Sequence, residues 1–154
     1  MKSLDRTDLK ILQALQSEGR VTNQTLAARV SLSPSACLAR IRQLEAAGVI
    51  SGYHAHVALE LVRPTLFLYA EISLKRHNPA EFARFESTVR TIPEIVEAAQ
   101  VSGQFDYLLK VVVPDIRAWR ELAARLQDGE GGVEKVITHV VLKDAKAFSG
   151  YPLR

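Results

Sequence analysis

The stretch "SLSPSACLARIRQLEAAGVI", residues 31–50, decides how the chain is read. It has a short turn, a capped helix and an abrupt stop. Ser33 is placed to accept a backbone N–H at a helix start. Pro34 takes the first helical position, where a missing N–H costs nothing, and Gly48 supplies a left-handed exit. Cys37, Ile41 and Leu44 recur at helical spacing and are expected to face a core. The opposite face is then expected to present Ser35, Ala36, Ala39, Arg40 and Gln43.

Upstream, "LDRTDLKILQALQSEG" puts Leu4, Ile11, Leu12 and Leu15 on one stripe, with Asp5 as N-cap and Gly19 as the stop. "VTNQTLAARV" gives a shorter helix from about Asn23 that buries Leu26, Ala27 and Val30. The link "SLS" to the third helix is three residues long. Two helices joined this tightly and braced by a first one form a helix-turn-helix. Small residues at the start of the third helix allow close approach to a DNA groove, and Arg40 and Gln43 are expected to reach base edges or phosphates. Thr22, Asn23, Gln24, Ser33 and Ser35 sit at helix N-termini, where hydroxyls and free N–H groups suit phosphate oxygens. The same residues also fit a plain three-helix core with solvated arginines.

Charge is distributed in a way that favours the first reading. Residues 1–52 hold seven Lys/Arg against four acids, and residues 53–154 hold thirteen of each, so the whole net charge of +3 lies in the first third. With 47% apolar residues the chain can build a core rather than stay disordered. It has neither the ~20-residue apolar run of a membrane span nor a signal-peptide pattern. The single Cys37 forms no intrachain disulfide and no cysteine-pair zinc site. A cytoplasmic protein without membrane attachment, cofactor or metal is expected.

After Gly48 the periodicity changes. "VISGYHAHVALEL" alternates like a strand leaving the helices, and a connector follows through Val62 to Pro64. "TLFLYAEISL" places Leu66, Leu68, Ala70, Ile72 and Leu74 on one face of a strand. "NPAEFARFESTVRTI" is helical, with Phe82, Phe85 and Val89 inward. "EIVEAAQV" and "FDYLLKVVV" form two strands around "SGQ". "DIRAWRELAARLQ" is a helix burying Ile116, Trp119, Leu122 and Leu126, and "VEKVITHVVL" closes the set. The order βαββαβ is that of a ferredoxin-like fold. The fold class is therefore α+β: a helix-turn-helix, winged-helix-like domain over residues 1–52, a connector over 53–64 and a ferredoxin-like domain over 65–154. Helices cover one sheet face only, so a second copy of the sheet is expected to cover the other, giving a homodimer.

The stretches "LDRTDLKILQALQSEGRVTNQTLAARVSLSPSACLARIRQLEAAGVISGY", "VSGQFDYLLKVVVPD" and "GGVEKVITHVVLKDAK" resemble the Lrp/AsnC, or feast/famine, family of transcription regulators over the whole chain. The resemblance implies a DNA-binding dimer that assembles further, often to an octamer, and responds to a small effector, usually an amino acid. It places the effector between dimers, beside the loop Val101-Ser102-Gly103-Gln104-Phe105-Asp106. The last strand, around Thr138, His139, Val140 and Val141, forms the other wall. Carried across, Gly103 lets the effector approach the backbone and Asp106 pairs with its ammonium group. The alternative is that Gly103 only makes the turn and Asp106 only holds it together. Two departures stand out: "LELVRPTL" lacks the family's connector glycine, implying a stiffer hinge, and "DGEGGVEKV" lacks its usual proline.

Among the four histidines, His54 and His56 share a strand face without a third ligand at motif spacing, and His77 falls in a loop. His139 lies beside the effector wall. Siroheme decarboxylases resemble the same architecture, and an enzyme of that type is the alternative function. A sensing module without DNA binding is a third, disfavoured by the intact first third.

Overall fold

The computed structural model describes residues 4–129 and 131–153. Lys2, counted above among the basic residues, and Glu130, within the quoted "DGEGGVEKV", lie outside the described residues. The chain divides into two compact units, Met1–Val57 with Lys146–Arg154, and Ala58–Ala145.

In the first unit, α1 spans Arg6–Ser17, α2 Asn23–Arg29 and α3 Pro34–Ala46. Each start is fixed by a short polar side chain: Asp5 accepts from Asp8 N–H, Thr22 from Thr25 N–H and Ser33 from Ala36 N–H. Ile11, Leu12, Leu26, Ala27, Val30, Cys37 and Leu44 are buried together, with Ile41 partly buried beside them. Leu4, expected on the stripe, is instead 39% exposed, because it precedes the helix and so lies off its face. The turn between α2 and α3 passes through Ser31 at φ 58, a left-handed conformation that L residues other than Asn and Asp seldom adopt.

The tail joins this unit rather than the sheet. Leu153 packs on the helical core, Gln13 Nε2 donates to the Leu153 carbonyl at 2.9 Å, and Gln16 Nε2 donates to the Tyr151 carbonyl at 3.2 Å. Tyr151 N–H returns a bond to Gln16 Oε1 at 2.6 Å. Gly150, at φ 113, allows this docking; a Cβ there would come within 3.0 Å of Gln16 Oε1. The stretch 65–154, read above as one domain, therefore loses its last residues to the helices.

The second unit contains β1 (Leu66–Leu74), α4 (Pro79–Arg90), β2 (Ile95–Gln100), β3 (Tyr107–Val113), α5 (Ile116–Asp128) and β4 (Val133–Val140). The sheet is antiparallel throughout, in the order β2-β3-β1-β4. Leu68, Ala70, Ile72, Leu74, Tyr107, Leu109, Val111 and Val113 pack under Phe85, Val89, Trp119, Leu122 and Leu126. Tyr69 and Ile137, each 37% exposed, lie on the other face. Ile116 is 52% exposed, contrary to its expected burial, because as the first residue of α5 it lies at the helix end, on the edge of the stripe that continues at Trp119. The strand expected in "VISGYHAHVALEL", residues 49–61, does not form. A strand needs a ladder partner, and this stretch runs as irregular chain to a 3-10 turn at Leu59–Leu61.

Replacing Ser31 with valine, whose branched Cβ fits φ 58 poorly, should lower the stability of the helical unit by about 1–2 kcal/mol, whereas Ser31→Gly should not. Thermal denaturation followed by circular dichroism reads both.

Candidate functional site

Helix α3 has two sides set by its burial. With Cys37 and Leu44 inward, and about 100° of rotation per residue, the residues turned furthest outward are Ser35, Ala39, Arg42 and Ala46, flanked by Ala36 and Gln43. All six are exposed. Arg42 and Gln43 form no side-chain hydrogen bond or ion pair among the described residues. Arg42 stood outside the expected set of contacts, although helical arithmetic alone places it about 200° from Arg40.

Arg40 sits on the flank and is already engaged. Its Nη1 lies 2.7 Å from Asp5 Oδ2 and 2.7 Å from Asp8 Oδ1, both on the start of α1. The Asp8 N–H and then the Arg40 guanidinium hold the Asp5 carboxyl below its ordinary value of 3.8, and the two carboxylates raise Arg40 further. Asn23, expected at a phosphate, donates through Nδ2 to the Pro34 carbonyl at 2.8 Å, bracing α2 against the start of α3. Thr22 and Ser33 spend their hydroxyls on caps, each also within reach of a second hydroxyl, on Thr25 and Ser35. Gln24 is exposed. Tyr53 donates to Glu45 Oε1 at 2.9 Å near the other end of α3, and burial followed by that carboxylate pushes its hydroxyl pKa up.

In the second unit the loop Val101–Asp106 joins β2 to β3. Gly103, at φ 133, has open space where a Cβ would stand, and Gln104 is exposed, with Phe105 half-buried. Asp106 is tied to the end of β1. Its Oδ2 accepts Leu74 N–H at 2.8 Å and lies 3.2 Å from His77 Nε2, while its own N–H donates to the Ile72 carbonyl. Its carbonyl accepts Val101 N–H, closing the loop.

The last-strand residues lie elsewhere on the sheet. Thr138 pairs with Ala70 and Val140 with Leu68, two to four residues back along β1 from Ile72, or on the order of 7–13 Å, and on β1's opposite edge. Thr138 faces the helices, where its Oγ1 accepts from Trp119 Nε1 at 2.9 Å. His139 is on the open face with Nε2 2.9 Å from Glu71 Oε1, and Val141 N–H bonds to the Phe67 carbonyl. A single chain therefore does not bring the two proposed walls together. His54 and His56 are exposed, and among the described residues no three His, Cys, Asp or Glu side chains gather at metal-binding distance.

A family model described as the Lrp/AsnC ligand binding domain matches residues 68–150, and one described as winged helix-turn-helix DNA-binding matches residues 4–51. The chain belongs to the Lrp/AsnC family. It is 43% identical over 145 residues to the leucine-responsive regulatory proteins of Klebsiella pneumoniae and of Escherichia coli K12, covering 94% of this chain and 88% of each relative. A transcriptional regulator from Neisseria meningitidis, solved as an L-Met complex, superposes with a TM-score of 0.90 at 37% identity over 98% of this chain and 97% of that one. An AsnC-family regulator from Agrobacterium tumefaciens gives 0.88 at 33% identity, covering 97% of each chain. This Lrp/AsnC chain is accordingly a DNA-binding transcriptional regulator with a ligand-binding domain.

Tyr107, which flanks the loop, is buried and donates to Glu86 Oε1 at 3.0 Å; burial and then that carboxylate push its hydroxyl from 10.0 to about 12. A raised folded-state value stabilises the protonated form, so this contribution is full below pH 10 and is lost as pH rises through 12. Stability of the sheet unit should fall by on the order of 2 kcal/mol over that window. Tyr107→Phe should flatten the dependence in urea titrations at pH 8 to 12.

Proposed function

We propose that α3 is the reading helix of a homodimeric regulator, and that its contacts come from Ser35, Ala36, Ala39, Arg42 and Gln43. The observation that carries this reading is the exposed Arg42, unpaired among the described residues, beside Gln43 on a capped helix whose outward surface is otherwise small residues and Leu38. Phosphates would lie against the N-termini of α2 and α3, at Thr22, Gln24 and Ser33, where free N–H groups remain. Asn23 belongs to the internal bracing, and Arg40 contributes indirectly. A regulator, rather than a tetrapyrrole decarboxylase, is supported by this helix and by relatives that are themselves regulators.

The effector is an amino acid, as the L-Met complex of the Neisseria regulator suggests. Its site is completed by more than one copy of the chain, since the Val101–Asp106 loop and the Thr138–Val141 segment lie at separate places on each sheet. The open sheet face with Tyr69 and Ile137 supports pairing of two copies, and further assembly to an octamer would bring loop and strand from different copies together. Gly103 offers an unobstructed backbone, and Asp106 offers Oδ1 while Oδ2 holds Leu74. An effector that prefers one assembly shifts DNA binding by its difference in affinity for the two states.

Fluorescence anisotropy with DNA from upstream of the protein's own gene, against a scrambled duplex, tests the reading. Arg42→Ala should weaken specific binding by about 1–3 kcal/mol and, if it meets a phosphate, lower the salt slope by about 1. Unchanged affinity and slope would remove Arg42 from the interface. Repeating the titration with single amino acids identifies the effector. Asp106→Asn, whose amide oxygen still accepts from Leu74, should keep stability within about 0.5 kcal/mol while abolishing the effector response. A normal response would leave Asp106 with only its structural bond.

A further inference from the structure

Asp5 and Asp8 put two negative charges on the first turn of α1, next to the helix that meets a polyanion. On charge alone they should oppose DNA binding, yet their bonding is fully specified. Asp5 Oδ1 accepts Asp8 N–H at 2.8 Å, and Asp8 Oδ2 accepts Asp5 N–H at 3.1 Å, closing a capping box. Each carboxylate then gives its remaining oxygen to the same nitrogen, Arg40 Nη1, at 2.7 Å. The box holds both acceptors rigidly on α1, and Arg40 reaches them from the middle of α3.

Apolar packing of Cys37, Ile41 and Leu44 fixes which face of α3 turns inward, but it is non-directional and leaves the finer rotation about the helix axis to directional contacts. Polar contacts set that angle. Beyond its caps and backbone bonds, three side-chain contacts join α3 to other segments among the described residues: Pro34 with Asn23 at its start, Glu45 with Tyr53 at its end, and Arg40 with the two aspartates between. Only the middle one is charged at both partners and doubly bonded, and charge-assisted bonds are the stronger kind. Arg42 stands about 200° around the helix from Arg40, so fixing one aims the other outward.

We propose that Asp5, Asp8 and Arg40 form a clamp that sets the rotation of α3, making the two acids and Arg40 positioning residues for DNA reading rather than DNA contacts. This rests on α3 being the reading helix. It differs in sign from the view that Arg40 touches DNA. If Arg40 reached a phosphate or base, the aspartates would compete with the DNA for it, and neutralising them would free a cation and tighten binding. With a clamp, neutralising them loosens α3 and weakens specific binding.

The test uses the full-length protein with the specific and scrambled duplexes at several salt concentrations. Asp8→Asn, Asp5→Asn with Asp8→Asn, and Arg40→Met are compared, with Asp8→Glu as the conservative variant and circular dichroism as the check of folding. The clamp predicts a loss of specific affinity of about tenfold for Asp8→Asn and for Arg40→Met. A further variant combining Asp8→Asn with Arg40→Met should lose no more than Arg40→Met alone. Scrambled-duplex binding and the salt slope should stay at their starting values, and Asp8→Glu should recover part of the loss. Tighter binding by the asparagine variants, unchanged specific binding, or a salt slope lowered by about 1 in Arg40→Met would overturn it. If the unaltered protein fails to distinguish the two duplexes, the reading-helix assignment itself fails; if it distinguishes them, the variants judge the clamp alone.

Discussion

The guanidinium of Arg40 between the two carboxylates of α1 is the contact on which the rest of the DNA-facing unit turns. A three-helix core of seven buried side chains, one of them an alanine and one a cysteine, has little shape of its own with which to index one helix against another. The ion pairs supply that index at one point, and the amide of Asn23 and the hydroxyl of Tyr53 supply it near the two ends of α3. What remains on the outer side of α3 is a surface of small residues and Leu38, with one free cation and one free amide among the described residues. Such a surface lies close to a groove, and only a few long side chains reach its floor.

Much of the fold was legible because its signals are local. Asp5, Thr22, Ser33, Asn78 and Asp115 each cap the helix that follows them, and a cap acts within four residues of its own position. The βαββαβ order followed from changes in periodicity, and the buried row on β1 from simple alternation. Features that depend on distant partners were not legible. Alternation over 49–61 suggested a strand, but alternation specifies a face and not the ladder partner a strand requires. Tyr151 and Leu153 belong with α1 through bonds that span 135 and 140 positions, which no local pattern encodes.

The candidate contacts divide in the same way. Outward orientation is a local property, so the exposure of Ser35, Ala39 and Gln43 followed from spacing. The charge of Arg40 suggested a phosphate contact, whereas its place on the flank of the helix puts it beside Asp5 and Asp8. Arg42 was the residue that the wheel turned outward. Asp106 is similar: its position in the loop of the sensing domain suggested a ligand, while its bond to Leu74 N–H ties it first to the sheet. The loop and the last strand are displaced on one sheet, which fits an effector site built between copies and explains why no single-chain pattern could define it.

The central claim is that the outer face of α3 meets DNA, and photo-crosslinking tests it most directly. A photoreactive side chain is placed at position 39 on α3, or at position 117 on α5 as a control, and irradiated with the upstream duplex bound. The account predicts covalent adducts from position 39, mapped to bases or sugars of the specific site and competed away by unlabelled specific DNA, with few or none from position 117. Equal labelling from both positions, or labelling from 117 alone, would contradict it.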